Sequence, residues 1–317
     1  MARPKRYDFQ GALHLVTISG YPGGSVFYDP GIFARFPKNP CAHAPDANRF
    51  ESLLWDVCEQ YDARVHAYLI DSNATQLIIQ TVGAPLPWLV HDLLARYSTH
   101  LINTNRIRLG QRPFPRRYRA QLVQPAKLPY AVRCIHRREN AIDSRRRMIN
   151  NPFSSNLIHS GRKVKPKQFV VNMTREALYS LGYRGLDGYF EFMARGDSPS
   201  VADMLSRRIV GEADFIEAVQ KRLKQPPKVP TPDQILEGVT GTLLHAASDV
   251  VCSSSHRGAL ARALVAWYAM RAGTAQIGAV GQWFGVTSSG LRYLIRKHRN
   301  RSPHYFAKTP AELFPPQ

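Results

Sequence analysis

The stretch from residue 66 to residue 79, HAYLIDSNATQLII, decides the fold of this chain. Its two halves are rich in apolar and β-branched residues, which favour extended backbone. Between them lie Asp71, Ser72 and Asn73, residue types that tight turns prefer. The stretch therefore predicts two short strands joined by a turn.

The elements on either side of this strand pair predict a ferredoxin-like domain. Residues 11–20 alternate apolar and polar side chains and predict a strand, as do residues 118–123. Apolar residues recur at helical spacing from about residue 48 and again after residues 83–85. A basic helix at about residues 126–149 closes the domain. The order strand, helix, strand, strand, helix, strand is that of a ferredoxin-like antiparallel sheet with helices.

The second half of the chain predicts an all-α region, so the fold class is α+β. Helical patterns and capping signals occupy residues 159–224, and the proline-rich residues 225–232 predict a stiff linker. The predicted domains are therefore a ferredoxin-like domain at residues 1–158, the helical middle region, the linker, and a C-terminal helical domain at residues 233–317.

The C-terminal domain carries the pattern of a helix-turn-helix. A short helix at residues 277–284 is followed by a turn with Gly285 and by a basic helix from residue 289 to about residue 297. Residues 288–308 include six Lys or Arg and no Asp or Glu. In this motif the second helix enters the major groove of DNA. The candidate DNA contacts are Ser288, Ser289, Arg292, Tyr293, Arg296 and Lys297.

Composition favours a nucleic-acid partner. The 317 residues carry a formal net charge of +20, and 44% of them are hydrophobic, as expected of a folded protein. An excess of this size suits a polyanion, since neutralising phosphates releases counterions. No apolar run predicts a membrane helix or a signal peptide, so we expect a cytoplasmic protein of the nucleoid. The four cysteines lack zinc-site spacing, and no cofactor is predicted.

Several separated blocks of the first half resemble one protein family. They include Asn73, the aliphatic run at residues 77–79, and the blocks at residues 9–14, 96–98 and 114–120. In these blocks the chain is similar to the REP-associated tyrosine transposases, a group of single-tyrosine (HUH) transposases related to the IS200 elements. The segment at residues 209–219 resembles a helical segment of the longer members. The helix-turn-helix resembles the DNA-binding domain of the bacterial replication initiator, although residues 286–289 depart from its recognition segment.

The resemblance implies a metal-dependent DNA nuclease whose chemistry is missing here. The family holds its metal with two histidines one residue apart, on one face of a strand, and attacks DNA with a tyrosine on the closing helix. The matching positions hold Ala74 and Gln76 in place of the histidines and Cys134 in place of the tyrosine. Ala74 binds no metal, and Gln76 offers one neutral oxygen. Tyr130, one helical turn before Cys134, is a possible stand-in nucleophile. His14, His66 and His136 are interpreted as structural or phosphate-facing.

DNA binding needs none of the lost residues. Residues 96–149 contain 14 Lys or Arg and two Asp or Glu, a bias that favours phosphate contact over an ordinary solvated face. Tyr97, Phe114 and Tyr118 lie among these charges and are expected to stack on bases. Trp267, Tyr268 and Trp283 are instead expected in the core. The candidate DNA contacts of this domain are Arg96, Arg116, Arg117, Arg119, Arg133, Arg137, Arg138, Arg145, Arg146 and Arg147.

The leading hypothesis is a non-catalytic, transposase-derived DNA-binding protein that acts as a bacterial transcriptional regulator. The first domain would bind DNA, including hairpins or inverted repeats, and the C-terminal domain would read a duplex. The resemblance also implies a homodimer. One alternative is an active single-strand nuclease or strand transferase that uses Tyr130 or Cys134. Another is a sensor in which a small ligand occupies the former catalytic pocket and controls DNA affinity.

Overall fold

A computed structural model describes residues 8–22, 24–36, 38–114, 118–138, 151–224, 229–243 and 255–308. The chain divides into two compact units. The first unit comprises Met1–Val82 and Leu89–Gln225, and the second comprises Gly83–Trp88 and Pro226–Gln317. The domain bounds given above stay a prediction.

The first unit has the predicted α+β architecture around one sheet. The sheet order is β2-β3-β1-β4-β5, and its first four strands have the order and antiparallel pairing of a ferredoxin-like fold. The predicted fold class is thus confirmed. The elements are β1 Leu13–Ser19, α1 Ile32–Arg35, α2 Pro45–Gln60, β2 Ala63–Ile70, β3 Ala74–Thr81, α3 Leu86–Asn103, β4 Arg119–Val123, α4 Leu128–Arg138, α5 Asn156–His159, α6 Asn172–Ser180, α7 Gly185–Ala194, α8 Pro199–Ser206, β5 Ile209–Val210 and α9 Ala213–Lys224.

The fifth strand corrects the prediction of a helix over residues 209–219. Ile209 and Val210 pair in parallel with Leu122 and Val123 of β4, and α9 begins only at Ala213. The main chain joins the sheet edge because β-branched residues suit extended backbone and both are buried there. The middle region at residues 159–224, predicted to be helical, therefore contributes one strand to the sheet.

The β2–β3 hairpin has the turn that its sequence predicts. The amide of Asp71 donates to the carbonyl of Ala74 at 2.7 Å and closes the turn. The amide of Gly20 donates to the carbonyl of Asn73 at 2.8 Å, and the amide of Phe27 donates to that of Ser72 at 2.9 Å. The turn therefore also fixes the loop that follows β1.

The helix α4 packs on one face of this sheet. Its residues Leu128, Ala131, Val132 and Ile135 are fully buried, and the spacing of three and four residues puts them on one side of the helix. They join the strand residues Leu13, Leu15, Ala67, Leu69, Ile78 and Val123 in one apolar cluster. The face of α4 toward the sheet is thus filled by aliphatic side chains.

The second unit is helical throughout its described residues. Its helices are α10 Pro232–Leu243, α11 His256–Arg271, α12 Ile277–Trp283, α13 Ser288–Arg301 and α14 Pro303–Ala307. The central helix α11 is buried along most of its length, and the indole Nε1 of Trp267 donates to the carbonyl of Phe306 at 3.3 Å. Of the helices described here or in the first unit, none combines the length and hydropathy needed to cross a membrane.

A close backbone approach sets the turn between α12 and α13. The amide of Val286 donates to the carbonyl of Gly281 at 2.9 Å. A Cβ atom at Gly281 would meet the carbonyl oxygen of Val286 well inside contact distance. Gly285 lies in the turn with φ +62°, a conformation that favours glycine. The two glycines therefore allow the tight connection that orients α13.

We expect Gly281→Ala to destabilise the second unit by on the order of 1–3 kcal/mol, because the new methyl group overlaps a carbonyl that cannot move without opening the turn. Gly278→Ala in the same helix is the matched control. A Cβ atom at Gly278 meets only the hydroxyl oxygen of Ser288, at 3.5 Å.

The control should be neutral or stabilise the unit by up to about 1 kcal/mol, since alanine is the better helix former. Urea unfolding of the full chain, with hydrogen exchange to localise the change, measures both variants. Equal stability of the two variants would contradict the close approach.

Candidate nucleic-acid interface

The helix α13 has one buried face and one exposed face. The hydroxyl of Thr287 caps its first turn by accepting from the amide of Gly290 at 3.1 Å. Leu291, Ile295 and His298 are buried, and α13 packs chiefly against α11. The opposite, exposed face of α13 presents Ser289, Tyr293, Arg296 and Asn300, spaced four, three and four residues apart. We call these four residues the exposed row of α13.

The predicted DNA contacts of α13 differ in their exposure to solvent. Ser289, Tyr293 and Arg296 are exposed, and the ring of Tyr293 has 59% of its surface free. Ser288, Arg292 and Lys297 are partly buried beside this row. Asn300 was missed from the sequence, although it continues the spacing of the exposed row by one turn.

The surroundings of α13 are strongly basic. Residues 255–308 contain nine Lys or Arg and no Asp or Glu. The ammonium of Lys297 lies 5.8 Å from the ring centre of Tyr293, and the guanidinium of Arg299 lies 4.8 Å from that of Trp267. The segment itself therefore contributes positive charge and no carboxylate. The basic side chains are Arg257, Arg262, Arg271, Arg292, Arg296, Lys297, Arg299, Arg301 and Lys308.

His298 keeps the inner face of α13 uncharged. Its side chain is fully buried, and neither ring nitrogen has a hydrogen-bond partner within the described part of the chain. Burial, together with the nearby His256, Lys297 and Arg301, lowers the pKa of His298. The neutral ring packs edge-on against His256, with ring centres 4.9 Å apart. Charge on α13 is therefore confined to its outer side.

The division of the aromatic residues into buried and exposed side chains differs from the sequence prediction. Trp267 and Tyr268 lie in the core, as predicted. The prediction for Trp283 is wrong, because 37% of its surface is exposed where it ends the short helix α12. Tyr97 and Phe114 are also wrong as base-stacking residues. Both are buried in an aromatic cluster of the first unit, and the hydroxyl of Tyr97 donates to the carbonyl of Val26 at 2.8 Å.

Arg133 does not lie on the surface. Its side chain is 4% exposed, forms an ion pair with Asp197, and stacks with its guanidinium 4.3 Å from the ring centre of Phe192. A buried, paired guanidinium cannot reach a phosphate without breaking the pair, which would leave the partly buried charge of its partner uncompensated. The structure therefore corrects the assignment of Arg133 as a DNA contact.

Three other predicted arginines differ in their partners. Arg96 forms an ion pair with Asp92, which offsets its charge, and a hydrogen bond with the side chain of Gln60. Arg119 is exposed, and its guanidinium donates to the carbonyl of Ser206 at 2.8 Å. Arg137 is 39% exposed, with its guanidinium 3.6 Å from the carboxylate of Asp197. Arg119 and Arg137 are thus the best placed for phosphate contact. Arg116, Arg117, Arg145, Arg146 and Arg147 lie outside the described residues, as does the side chain of Arg138.

The positions of the missing metal ligands face α4. The register aligns Leu69, Gln76, Thr17 and Arg119 side by side across four strands, on the sheet face that α4 covers. The amide of Gln76 donates to the hydroxyl of Thr17 at 3.4 Å, and Ala74 lies two residues away on the same face. The sheet geometry that two histidines would need is therefore present.

The structure also describes the residues around that face. In the ranges that the structure covers, no three His, Cys, Asp or Glu side chains are grouped to hold a metal. Cys134 lies half-buried on α4. The ring of Tyr130 packs on Phe192, at 5.4 Å between ring centres, and lies within 6 Å of the cations of Lys127 and Arg133. The absence of catalysis and of a cofactor stays a prediction.

A buried polar network connects α4 with the segment at residues 151–160. The Nε2 of His136 lies 2.8 Å from the hydroxyl of Ser155, and its Nδ1 lies 2.8 Å from that of Tyr189. The Tyr189 hydroxyl donates to the carbonyl oxygen of Asn156 at 2.8 Å. The Nε2 of His159 lies 3.0 Å from the carbonyl of His66. These contacts give His136 and His159 structural roles, and the imidazole Nε2 of His66 lies 3.3 Å from the side-chain oxygen of Gln80.

We expect the first unit to lose stability as the pH falls below about 6.5. Burial lowers the pKa values of His66 and His159 to about 4 each. The unfolded chain takes up these protons below about pH 6.5, whereas the folded chain does not until about pH 4. The destabilisation near pH 5 is on the order of 2 kcal/mol per histidine.

The pH slope of the free energy of unfolding measures this effect. His159→Gln should flatten the slope between the two pKa values even if the variant is less stable at neutral pH. His91→Gln, which changes an exposed histidine of the same unit, should leave it unchanged. An equal slope in all three proteins would contradict the assignment.

Comparisons with known proteins give limited information. No model of a known protein family matches the chain, and no curated protein does. Among solved structures, a REP-associated tyrosine transposase bound to a REP hairpin is similar at 10% sequence identity and a TM-score of 0.38. The match covers 55% of this chain and 94% of that one.

Proposed function

We propose that this chain is a non-catalytic DNA-binding protein whose helix α13 enters the major groove and reads base edges. One observation carries the proposal. The exposed row of α13 lies in a segment with nine basic and no acidic residues. Such a surface attracts the phosphate backbone and also offers side chains that can discriminate bases.

The side chains of the exposed row suit distinct contacts. Arg296 can donate two hydrogen bonds to guanine O6 and N7, and Asn300 can pair with adenine N6 and N7. Ser289, at the first turn, can reach either kind of base edge or a phosphate. The partly buried Arg292 and Lys297 flank the row and suit the two phosphate strands. The row thus separates base reading from backbone anchoring.

The first unit is proposed to add a second DNA contact. Arg119 and Arg137 are the described residues that support it, and the arginines predicted outside the described residues belong to the same proposal. A hairpin or inverted repeat as ligand, a homodimer, and a role as a bacterial transcriptional regulator follow the resemblance of the sequence to REP-associated tyrosine transposases. They are parts of the proposal and need their own tests.

Loss of catalysis is the other part of the proposal. Ala74 and Gln76 occupy the strand face on which the family holds its metal. Ala74 has no ligand atom, and the neutral amide of Gln76 is a weak ligand for a divalent ion. Cys134 replaces the attacking tyrosine. The ancestral site would then keep its scaffold without its chemistry.

We expect Arg296→Ala to weaken binding to a selected duplex by about 1–3 kcal/mol and to relax base preference at one position. The duplex is first obtained by selection from a random library with the full-length protein. Arg257→Ala removes an exposed arginine of the same segment that is not on α13 and serves as the matched control.

The control should lower affinity equally for all sequences, if at all, and reduce the salt dependence by no more than one phosphate contact. Base preference is measured by repeating the selection with each variant. An unchanged preference in Arg296→Ala would argue against reading by α13.

We expect no covalent protein–DNA adduct when the protein is incubated with single-stranded hairpin DNA and Mg²⁺ or Mn²⁺. The positions of the metal-binding histidines hold Ala74 and Gln76, which are uncharged, and the position of the attacking tyrosine holds the thiol of Cys134. Denaturing gel electrophoresis with labelled DNA detects an adduct. An adduct that disappears in Tyr130→Phe or in Cys134→Ser would establish the strand-transfer alternative.

The double variant Ala74→His with Gln76→His provides the converse test. It places two imidazoles on one sheet face, and we expect it to gain affinity for Mn²⁺ or Zn²⁺ that the unmodified chain lacks. Titration calorimetry of both proteins measures that gain. No gain in the double variant would show that this face is not the vacated metal site.

A further inference from the structure

A cavity of about 810 Å³ opens in the first unit, away from the sheet face that α4 covers. One wall is formed by Tyr21 and residues 24–26 of the loop after β1, and the other by Leu101 at the end of α3 and residues 105–113 after it. A volume of this size is within the range of small-molecule sites in proteins. None of its described lining residues is acidic.

The cavity presents one exposed aromatic ring. Tyr21 is 49% exposed and lines the cavity, so its ring is open to a ligand there. Its backbone does not share this freedom. The side-chain amide of Asn73 donates to the carbonyl of Tyr21 at 2.8 Å, and Gly20 leaves no space for a Cβ atom next to Asn73. The hairpin turn therefore holds the main chain of Tyr21 beside the cavity.

The cavity also holds a cation whose charge is not offset. Arg106 is 3.1 Å from the carboxylate of Asp46, which also binds His100 at 2.9 Å, so its charge is compensated. Arg112 is exposed and has no acidic partner among the residues described. Its guanidinium is thus available to an anion, for which a phosphate has the matching geometry.

The remaining lining supplies apolar surface and amide groups. Val26, Leu101 and Ile107 form apolar walls. Gln111 accepts from the amide of Arg108 at 2.8 Å, which fixes its side chain and leaves its NH₂ group as a donor. Asn105 has φ +56° and adds a second amide at the rim. Ring, apolar wall, amides and one free guanidinium together match a flat heterocycle joined to a phosphate.

We propose that this cavity binds a nucleoside monophosphate, with the base against Tyr21 and the phosphate at Arg112. The unit bound is the same whether it is a free nucleotide or an unpaired nucleotide of a single strand. The site goes beyond DNA reading by α13 and does not depend on it, because the cavity is built from the first unit alone. It also differs in place from the vacated metal position at Gln76.

Titration calorimetry of the full chain tests the site. The probes are the four deoxynucleoside 5′-monophosphates, the corresponding nucleosides, inorganic phosphate, and short single-stranded oligonucleotides. At least one monophosphate, free or within an oligonucleotide, should bind more tightly than its nucleoside and than phosphate alone. Preference for the free nucleotide identifies a small-molecule site, and preference for the oligonucleotide identifies a strand site.

Variants locate the binding. Arg112→Ala should weaken it about tenfold or more, and Arg112→Lys should restore part of it. Tyr21→Ala should weaken it by about fivefold or more through lost stacking. Tyr179→Ala and Arg195→Ala change side chains that are 60% and 61% exposed elsewhere in the first unit, and should have no effect.

Two outcomes would overturn the proposal. One is the absence of binding by any nucleotide, free or in a strand, at millimolar concentration. The other is binding that Arg112→Ala and Tyr21→Ala leave unchanged. Duplex selection by α13 is measured separately with Arg296→Ala, so failure at the cavity leaves the proposed major-groove function standing, and the reverse also holds.

Discussion

The pairing of β3 between β1 and β2 is the constraint on which the first unit depends. It aligns Gln76 with Thr17 and Leu69, and it brings the hairpin turn at Asn73 against the loop after β1. A register shift of one residue would move Gln76 to the opposite face and release Tyr21 from its anchor. The placement of Gln76 and the cavity at Tyr21 are therefore two consequences of the same hairpin, one on the sheet face and one at the turn.

Charge placement is the corresponding constraint in the second unit. The interface between α11 and α13 buries Leu291, Ile295 and His298, while Arg257, Arg296, Arg301 and Lys308 are exposed. Like charges at this density repel one another in the free protein. Bound phosphates reduce that repulsion. DNA binding would therefore restore part of the folding stability that the repulsion removes. In the first unit, by contrast, Arg133 is buried and forms an ion pair with Asp197.

Sequence reasoning succeeded where local periodicity decides structure. The β2–β3 hairpin, the existence of the closing helix α4 and the two helices on either side of Gly285 all follow from residue patterns. It failed where contacts between residues distant in sequence determine strand pairing or burial. Ile209 and Val210 pair with β4 across more than eighty residues, and the burial of Tyr97 and Arg133 requires Val26 and Asp197. The cavity at Tyr21 had no local signal, because its two walls are separated by about the same distance in the chain.

The central claim is that α13 reads bases through the major groove, and methylation interference on the selected duplex tests it most directly. Methylation of guanine N7 places a methyl group in the major groove, where Arg296 would donate, whereas methylation of adenine N3 lies in the minor groove. We predict that methylated guanine N7 within the selected site blocks binding of the full chain and that at least one such block is lost in Arg296→Ala. Binding that tolerates N7 methylation throughout the site would contradict the account.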